Sequence, residues 1–210
     1  MKPLHIIGLA AILVVSAGYV LLHGRASGLF GAGAEDGAPR LAWHKVDRSA
    51  EGFTLEMPAQ AKQVRVPVND QDGAAEPVDM ILANPDPETT FAVTWADDPP
   101  VARGTGSVPD RLLEMAEQGA LARTQTVAAT SASGRELGFP EREFTATNAE
   151  GGVLSARLID AGPRLYMLVA AFPSENARRD RDAARFFNSF KLLPPASDAP
   201  GGPADPAASN

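Results

Sequence analysis

Residues 3–22 form a stretch of twenty residues with one ionisable side chain, His5. At about 1.5 Å rise per residue, a helix of that length reaches across the hydrocarbon core of a bilayer. Lys2 precedes the stretch, and His23 and Arg25 follow it. A cleavable leader has an apolar region of roughly 7–15 residues with small residues at the cut. Cutting at Ser16-Ala17-Gly18 leaves Tyr19-Val20-Leu21-Leu22 exposed on the product, and Ala32-Gly33-Ala34 lies too far beyond the apolar run. The expectation is therefore an uncleaved signal anchor over residues 1–25. The basic residues on its two sides nearly balance and encode orientation weakly. The acidic remainder of the chain is read as the exported part, which places a single-pass protein in the inner membrane with its soluble domain in the periplasm.

All 26 acidic residues lie beyond that stretch, against 19 Lys and Arg in the whole chain, and the net charge is −7. Such a balance argues against nucleic acid and against an anionic membrane surface, both of which need cationic patches. The chain has no cysteine. Disulfides, thiolate nucleophiles, thiolate metal sites and a lipid-modified cysteine are all excluded. Residues 26–40 are rich in Gly and Ala and read as a flexible linker. Residues 194–210 are built of Pro, Ala, Gly, Ser and Asp with a closing Asn, and read as a disordered tail. Residues 41–193 remain, one domain by size.

Within it, Phe53-Thr54-Leu55-Glu56-Met57 alternates apolar and polar residues and stops at Pro58, the pattern of a half-buried strand. Residues 63–66 repeat the pattern weakly, and residues 71–77 read as a polar turn. Residues 78–83 and 90–95 are two further strands around a turn at Pro85-Asp86-Pro87, with Val93 and Trp95 in the core. Ser107-Val108-Pro109-Asp110 opens a helix, because Ser caps, Pro suits the first turn and an acid follows. Leu112, Leu113, Ala116, Ala120 and Leu121 fall at helical spacing, and Gly119 weakens the end. Strands return over residues 124–130, 135–137, 142–145 and 153–159. Leu165-Tyr166-Met167-Leu168-Val169-Ala170-Ala171 is the most apolar run of the domain and is expected as a central strand. A last helix starts at Pro173-Ser174-Glu175 and ends near Asn188, with Leu168 and Phe187 in the core. The order strands, helix, strands, helix argues an α+β fold, two main helices packed on an antiparallel sheet.

Three stretches bear a likeness to a known group. Gly52-Phe53-Thr54-Leu55-Glu56-Met57-Pro58, then Gly162-Pro163-Arg164-Leu165-Tyr166-Met167-Leu168, then Arg185-Phe186-Phe187-Asn188-Ser189-Phe190-Lys191-Leu192 resemble small bacterial envelope domains of the PsbP/Mog1-like superfamily, over about residues 43–193. The resemblance implies that fold, and a role in binding or assembly in place of catalysis. Its motifs are strand, turn and helix signatures and carry no functional residue.

Chemistry is sparse. His44, beside Trp43, is the one histidine of the domain, and no Gly-x-Ser-x-Gly elbow accompanies it. Asp70-Gln71-Asp72-Gly73 resembles part of a calcium loop, but Val68 stands at the first ligand position and Asp79 at the last. Gly104-x-Gly106 precedes a helix without the Lys-Ser/Thr of a phosphate loop. Lys45, Lys62 and Lys191 are expected at strand ends and edges, where burial is hard. No catalytic residue, metal site or cofactor is expected. Contact residues are the Arg178, Arg181 and Arg185 ridge, suited to an acidic partner, and the Asp97-Asp98 loop. The reading is a membrane-anchored, non-enzymatic envelope module whose partner is another envelope protein or a small ligand. The alternatives are a carboxylate-dependent hydrolase acting on a glycan, which needs two acids facing one cleft, and a structural spacer.

Overall fold

The structure, a computed structural model, describes residues 41–69, 75–97 and 108–193. These form β1 (Trp43–Arg48), β2 (Phe53–Pro58), β3 (Lys62–Asn69), β4 (Ala75–Asp86), β5 (Thr89–Asp97), α1 (Val108–Thr124), β6 (Val127–Glu136), β7 (Phe139–Thr147), β8 (Val153–Asp160), β9 (Arg164–Phe172), α2 (Ala177–Ser189) and the short β10 (Lys191–Leu192). The apolar run expected as a central strand is β9, the middle strand of a seven-stranded antiparallel sheet ordered β3-β4-β5-β9-β8-β7-β6. Successive side chains of a strand point to opposite faces. Leu165, Met167, Val169 and Ala171 join one buried cluster, and Tyr166, Leu168, Ala170 and Phe172 join another. Both faces of this antiparallel sheet are covered at its centre, so β9 is apolar throughout and does not alternate.

One face is closed by α1. Leu112, Leu113, Ala116 and Ala120 bury against Met80, Leu82, Ala92, Phe144 and Leu158. The helix continues past Gly119 to Thr124, whose hydroxyl donates to the Ala120 carbonyl at 2.8 Å and lies 2.6 Å from the Thr126 hydroxyl. Residues 124–130, expected as a strand, are thus divided between the end of α1 and the start of β6. Ser107, the expected cap, lies outside the described residues.

The other face is closed by α2 together with a second sheet, ordered β1-β2-β10. The expectation of one sheet missed it, and β1 was not read at all. In β1, Trp43 and Val46 are partly buried and pack against the aromatic core. β2 hangs between β1 and β10, and its Phe53, Leu55 and Met57 are fully buried. The core here is aromatic. Phe53 lies 5.4 Å from Trp95, 5.6 Å from Tyr166 and 5.5 Å from Phe190. Phe91 lies 5.6 Å from Phe172 and 5.3 Å from Phe186.

Smaller differences have local causes. Residues 75–77 belong to β4, because that strand extends along β3 beyond its pairing with β5. The β4–β5 turn is Pro87-Glu88, where the Glu88 amide donates to Asp86 Oδ1 at 2.9 Å. The last helix starts at Ala177, since the Asn176 side chain accepts from the Arg178 and Arg179 amides at 3.1 and 3.0 Å and caps the first turn. Leu168 is core as expected, whereas Phe187 is only partly buried and Phe186 and Phe190 fill the centre. Residues 3–22 lie outside the described residues, among which no helix is long and apolar enough to cross a membrane.

Candidate functional site

The Asn176 cap sets the phase of α2. Ala183, Phe186 and Phe190 then face the core. Arg178, Asp182 and Arg185 recur at intervals of three and four, with Arg181 beside them. Arg178 Nε lies 3.9 Å from Asp182 Oδ2. Burial pushes the Asp182 carboxyl up from its ordinary value, and Arg178, Arg181 and Arg185 pull it back down. Arg185 is committed to the small sheet. Its guanidinium sits 4.5 Å above the Trp43 ring, and Nε and Nη2 reach Glu56 Oε2 at 2.9 and 2.8 Å. Ser189 completes this seam by accepting from the Glu56 amide at 2.8 Å and donating to the Phe186 carbonyl at 2.7 Å. Arg181 is exposed and has no hydrogen bond or ion pair among the described residues. The expected ridge therefore exists, but its three arginines differ. One holds the helix to β2, one is loosely paired along the helix, and one is open to solvent.

Asp97 ends β5 opposite Arg164, and the two form an ion pair. Asp98 and residues 99–106 lie outside the described residues, as do residues 70–73 of the calcium-like fragment. Asp79 is no ligand. Arg65 clasps it at 2.9 and 3.0 Å and holds its carboxyl below the usual range. His44, Lys45, Lys62 and Lys191 are all exposed. Among the described residues, no three His, Asp or Glu side chains gather where a metal ion would bind.

The three stretches that carried the resemblance meet in space. Gly52 closes the 3-10 turn Ser49–Glu51 with φ +80°, and a Cβ there would lie 3.0 Å from the Tyr166 hydroxyl. That hydroxyl donates to the Glu51 carbonyl at 2.7 Å, and the Leu193 amide donates to the Gly52 carbonyl at 2.8 Å. Phe190 stacks on Phe53, and Tyr166 meets both rings edge-on in the same cluster. These residues tie the second sheet to the first and form a joint of the fold.

Two charge clusters, one of them buried, escaped the sequence reading. Glu117 of α1 is 4% exposed, forms an ion pair with Arg142 of β7, and accepts from the Ser131 hydroxyl at 3.0 Å. Its signal was present, because Glu117 falls among Leu113, Ala116 and Ala120 on the apolar side of the helix. Arg157 of β8 pairs with Glu143, lies 4.0 Å from Glu141, and donates to the Phe187 carbonyl at 3.2 Å. A cation at the last turn of α2 is favourably placed for the exposed carbonyls there. Only strand register places Arg157 opposite Glu143.

The described residues thus define an α+β domain of PsbP-like fold. Among solved structures the chain is similar to the solution structure of cyanobacterial PsbP (CyanoP) from Synechocystis, at 13% identity, covering 77% of this chain and 98% of that one with a TM-score of 0.51. A Pseudomonas aeruginosa protein of unknown function, described as a putative regulator, aligns at 12% identity over 68% of this chain and 90% of its own, with a TM-score of 0.34. No family model matches the chain, and none of the curated proteins matches it.

Proposed function

We propose that this chain is a membrane-anchored, exported domain of the bacterial cell envelope that works by binding or assembly, without covalent chemistry of its own. Residues 3–22 supply the anchor, and the domain reaches its partner outside the cytoplasm. The observation that carries the binding surface is α2. It holds four arginines against two aspartates in a chain of net charge −7, and Arg181 stands exposed beside Arg178. An acidic patch on another envelope protein fits this face, since exposed cations steer association and Arg and Trp are the side chains that interfaces favour. Asp97 and Asp98 form the second contact point. The PsbP-like fold supports the reading by analogy of architecture.

Full-length protein expressed in bacteria should remain with membranes after carbonate washing, retain its first residues by mass spectrometry, and be cut by protease added to the periplasm. Cross-linking in cells should trap a partner, and Arg178→Glu with Arg181→Glu should abolish that adduct while leaving stability within about 0.5 kcal/mol. A cytoplasmic domain would overturn the location. Turnover of a substrate by the purified protein, abolished by changing one Asp or Glu, would overturn the binding role.

A further inference from the structure

The chain enters the domain beside the α2 ridge. Trp43, the first residue of β1, pairs with Pro58, and the Ala42 carbonyl accepts from the Ala59 amide at 2.7 Å. The Arg185 guanidinium sits 4.5 Å above the Trp43 ring. Arg181 and Arg178 lie one and two turns back along the same helix, no more than about 10 Å from Arg185. The whole ridge is therefore close to the point where residues 26–40 join the domain. The chain leaves at the other end of β2, where the Leu193 amide donates to the Gly52 carbonyl at 2.8 Å. The length of that strand, about 20 Å, separates the two points.

Charge and reach single out one segment for this ridge. Between Arg25 and Arg40 the chain holds two ionisable side chains, Glu35 and Asp36, and both are acidic. Asp36 stands seven residues before Trp43, a tether that extends to about 25 Å. That is longer than the ridge, so the pair passes Arg40 and still reaches Arg181. Arg178 faces Asp182 and Arg185 is bonded to Glu56. Arg181 is the member of the ridge open to receive new carboxylates, being exposed and without a hydrogen bond or ion pair among the described residues. The other end of the chain has its own acids, Asp198 and Asp205, but it starts from the far point. Asp198, five residues past Leu193, extends to about 18 Å and falls short. Asp205 needs a tether of twelve residues, and effective concentration falls as a tether lengthens.

We propose that Glu35 and Asp36 fold back onto Arg181 and cover the ridge in the free chain, so that an acidic partner must displace them. As regulation, this rests on the reading of the ridge as the docking face, whereas the contact itself does not. Exposed ion pairs are individually weak. The short tether fills the site, because it holds the two carboxylates near Arg181 at an effective concentration of order millimolar. Such a cover lowers the affinity for an acidic partner severalfold and makes it selective. A surface offering a single pair of acids loses to the linker, and one with a broader acidic patch displaces it.

Two measurements on the full-length, detergent-purified chain test this. Arg181→Lys treated with a zero-length carbodiimide should couple its amine to Glu35 or Asp36, identified by mass spectrometry of the digested chain. Arg111→Lys, exposed on α1 at the opposite face of the sheet, should not. Labelled octaglutamate, a stand-in for an acidic partner, should bind the Glu35→Gln, Asp36→Asn chain at least threefold more tightly than the unmodified one. Adding Arg181→Glu to both should remove that difference. Coupling to Asp198 or Asp205 in place of the linker, coupling as strong from Arg111→Lys, or no coupling at all would overturn the contact. Equal octaglutamate binding with and without Glu35 and Asp36 would overturn the regulation and leave the docking face standing. Octaglutamate that binds no form of the chain would refute the docking face and the regulation with it.

Discussion

The two faces of the seven-stranded sheet are covered by opposite means. Against α1 the core is chiefly aliphatic, with Phe144 its one ring, and Ala92, Ala116, Ala120, Ala146 and Ala156 let the helix lie close to the strands. Against the second sheet and α2 it is aromatic, a continuous run of rings from Trp43 through Phe91 to Phe186 and from Phe53 to Phe190. A single helix fills the space above a sheet if small residues admit it. A two-element lid leaves a deeper gap, and rings fill it. The helix side also carries the buried Glu117–Arg142 pair, while the aromatic side is pinned by the Tyr166 hydroxyl donating to the Glu51 carbonyl and the Ser189 hydroxyl accepting from the Glu56 amide.

The largest effect that would sharpen this contrast is on the aromatic side. Phe53→Ala should cost about 3–5 kcal/mol in chemical denaturation, because it empties the contact point of three rings. Leu113→Ala on the α1 side should cost less, about 2–3 kcal/mol, since a helix resting on small side chains can settle into the gap. Equal losses would show that the two layers do not differ in packing. Phe187→Ala, on the partly buried rim, should cost less than either.

A smaller effect tests the polar side. Glu117→Gln keeps the shape of the side chain but removes its charge beside Arg142, and should cost about 1–3 kcal/mol. An unchanged midpoint would mean that α1 is held by its apolar stripe alone, and the layers would be more alike than described.

The smallest effect has the opposite sign. Asp160, 5% exposed at the end of β8, has its carboxyl pushed up by burial, offset in part by the Gly162 amide at 3.1 Å. A carboxyl raised on folding keeps its proton longer in the folded chain than in the unfolded one. Its contribution therefore favours the fold at low pH and fades as pH rises from the ordinary carboxylate value through the raised one. Asp160→Asn, which keeps the acceptor for Gly162, should flatten that part of the stability–pH curve and leave the neutral-pH midpoint equal or higher. Asp79 works in the other direction. Arg65 lowers its pKa, so its contribution is present above the ordinary carboxylate value and lost on acidification. A steeper curve in Asp160→Asn would contradict this assignment.

Much of the domain was legible because its signals are local. Alternation marked β2, apolar periodicity marked β4 and β5, and an unbroken apolar run marked β9. The helix spacing of Leu112, Leu113, Ala116 and Ala120 marked α1. β1 was not legible. It exposes three of its six residues, so no periodic apolar signal exists, and it is a strand because β2 pairs with it. Phe187 was misplaced for a related reason. Adjacent phenylalanines on a helix lie about 100° apart, and spacing alone does not say which one faces in. At the candidate site, the α2 ridge followed from helical spacing. That Arg185 is spent on Trp43 and Glu56 while Arg181 is open did not, because those partners are more than a hundred residues away in the chain.

The chain by itself therefore determined most of its elements, its lack of thiol chemistry and the apolar stretch that precedes the domain, since each depends on composition or on neighbours within a few residues. Only the tertiary structure decided that a second sheet closes the aromatic face, and which charges are committed to joining layers. Those outcomes depend on which strand lies beside which, and that pairing is set by the summed burial of both faces, a quantity no local window contains.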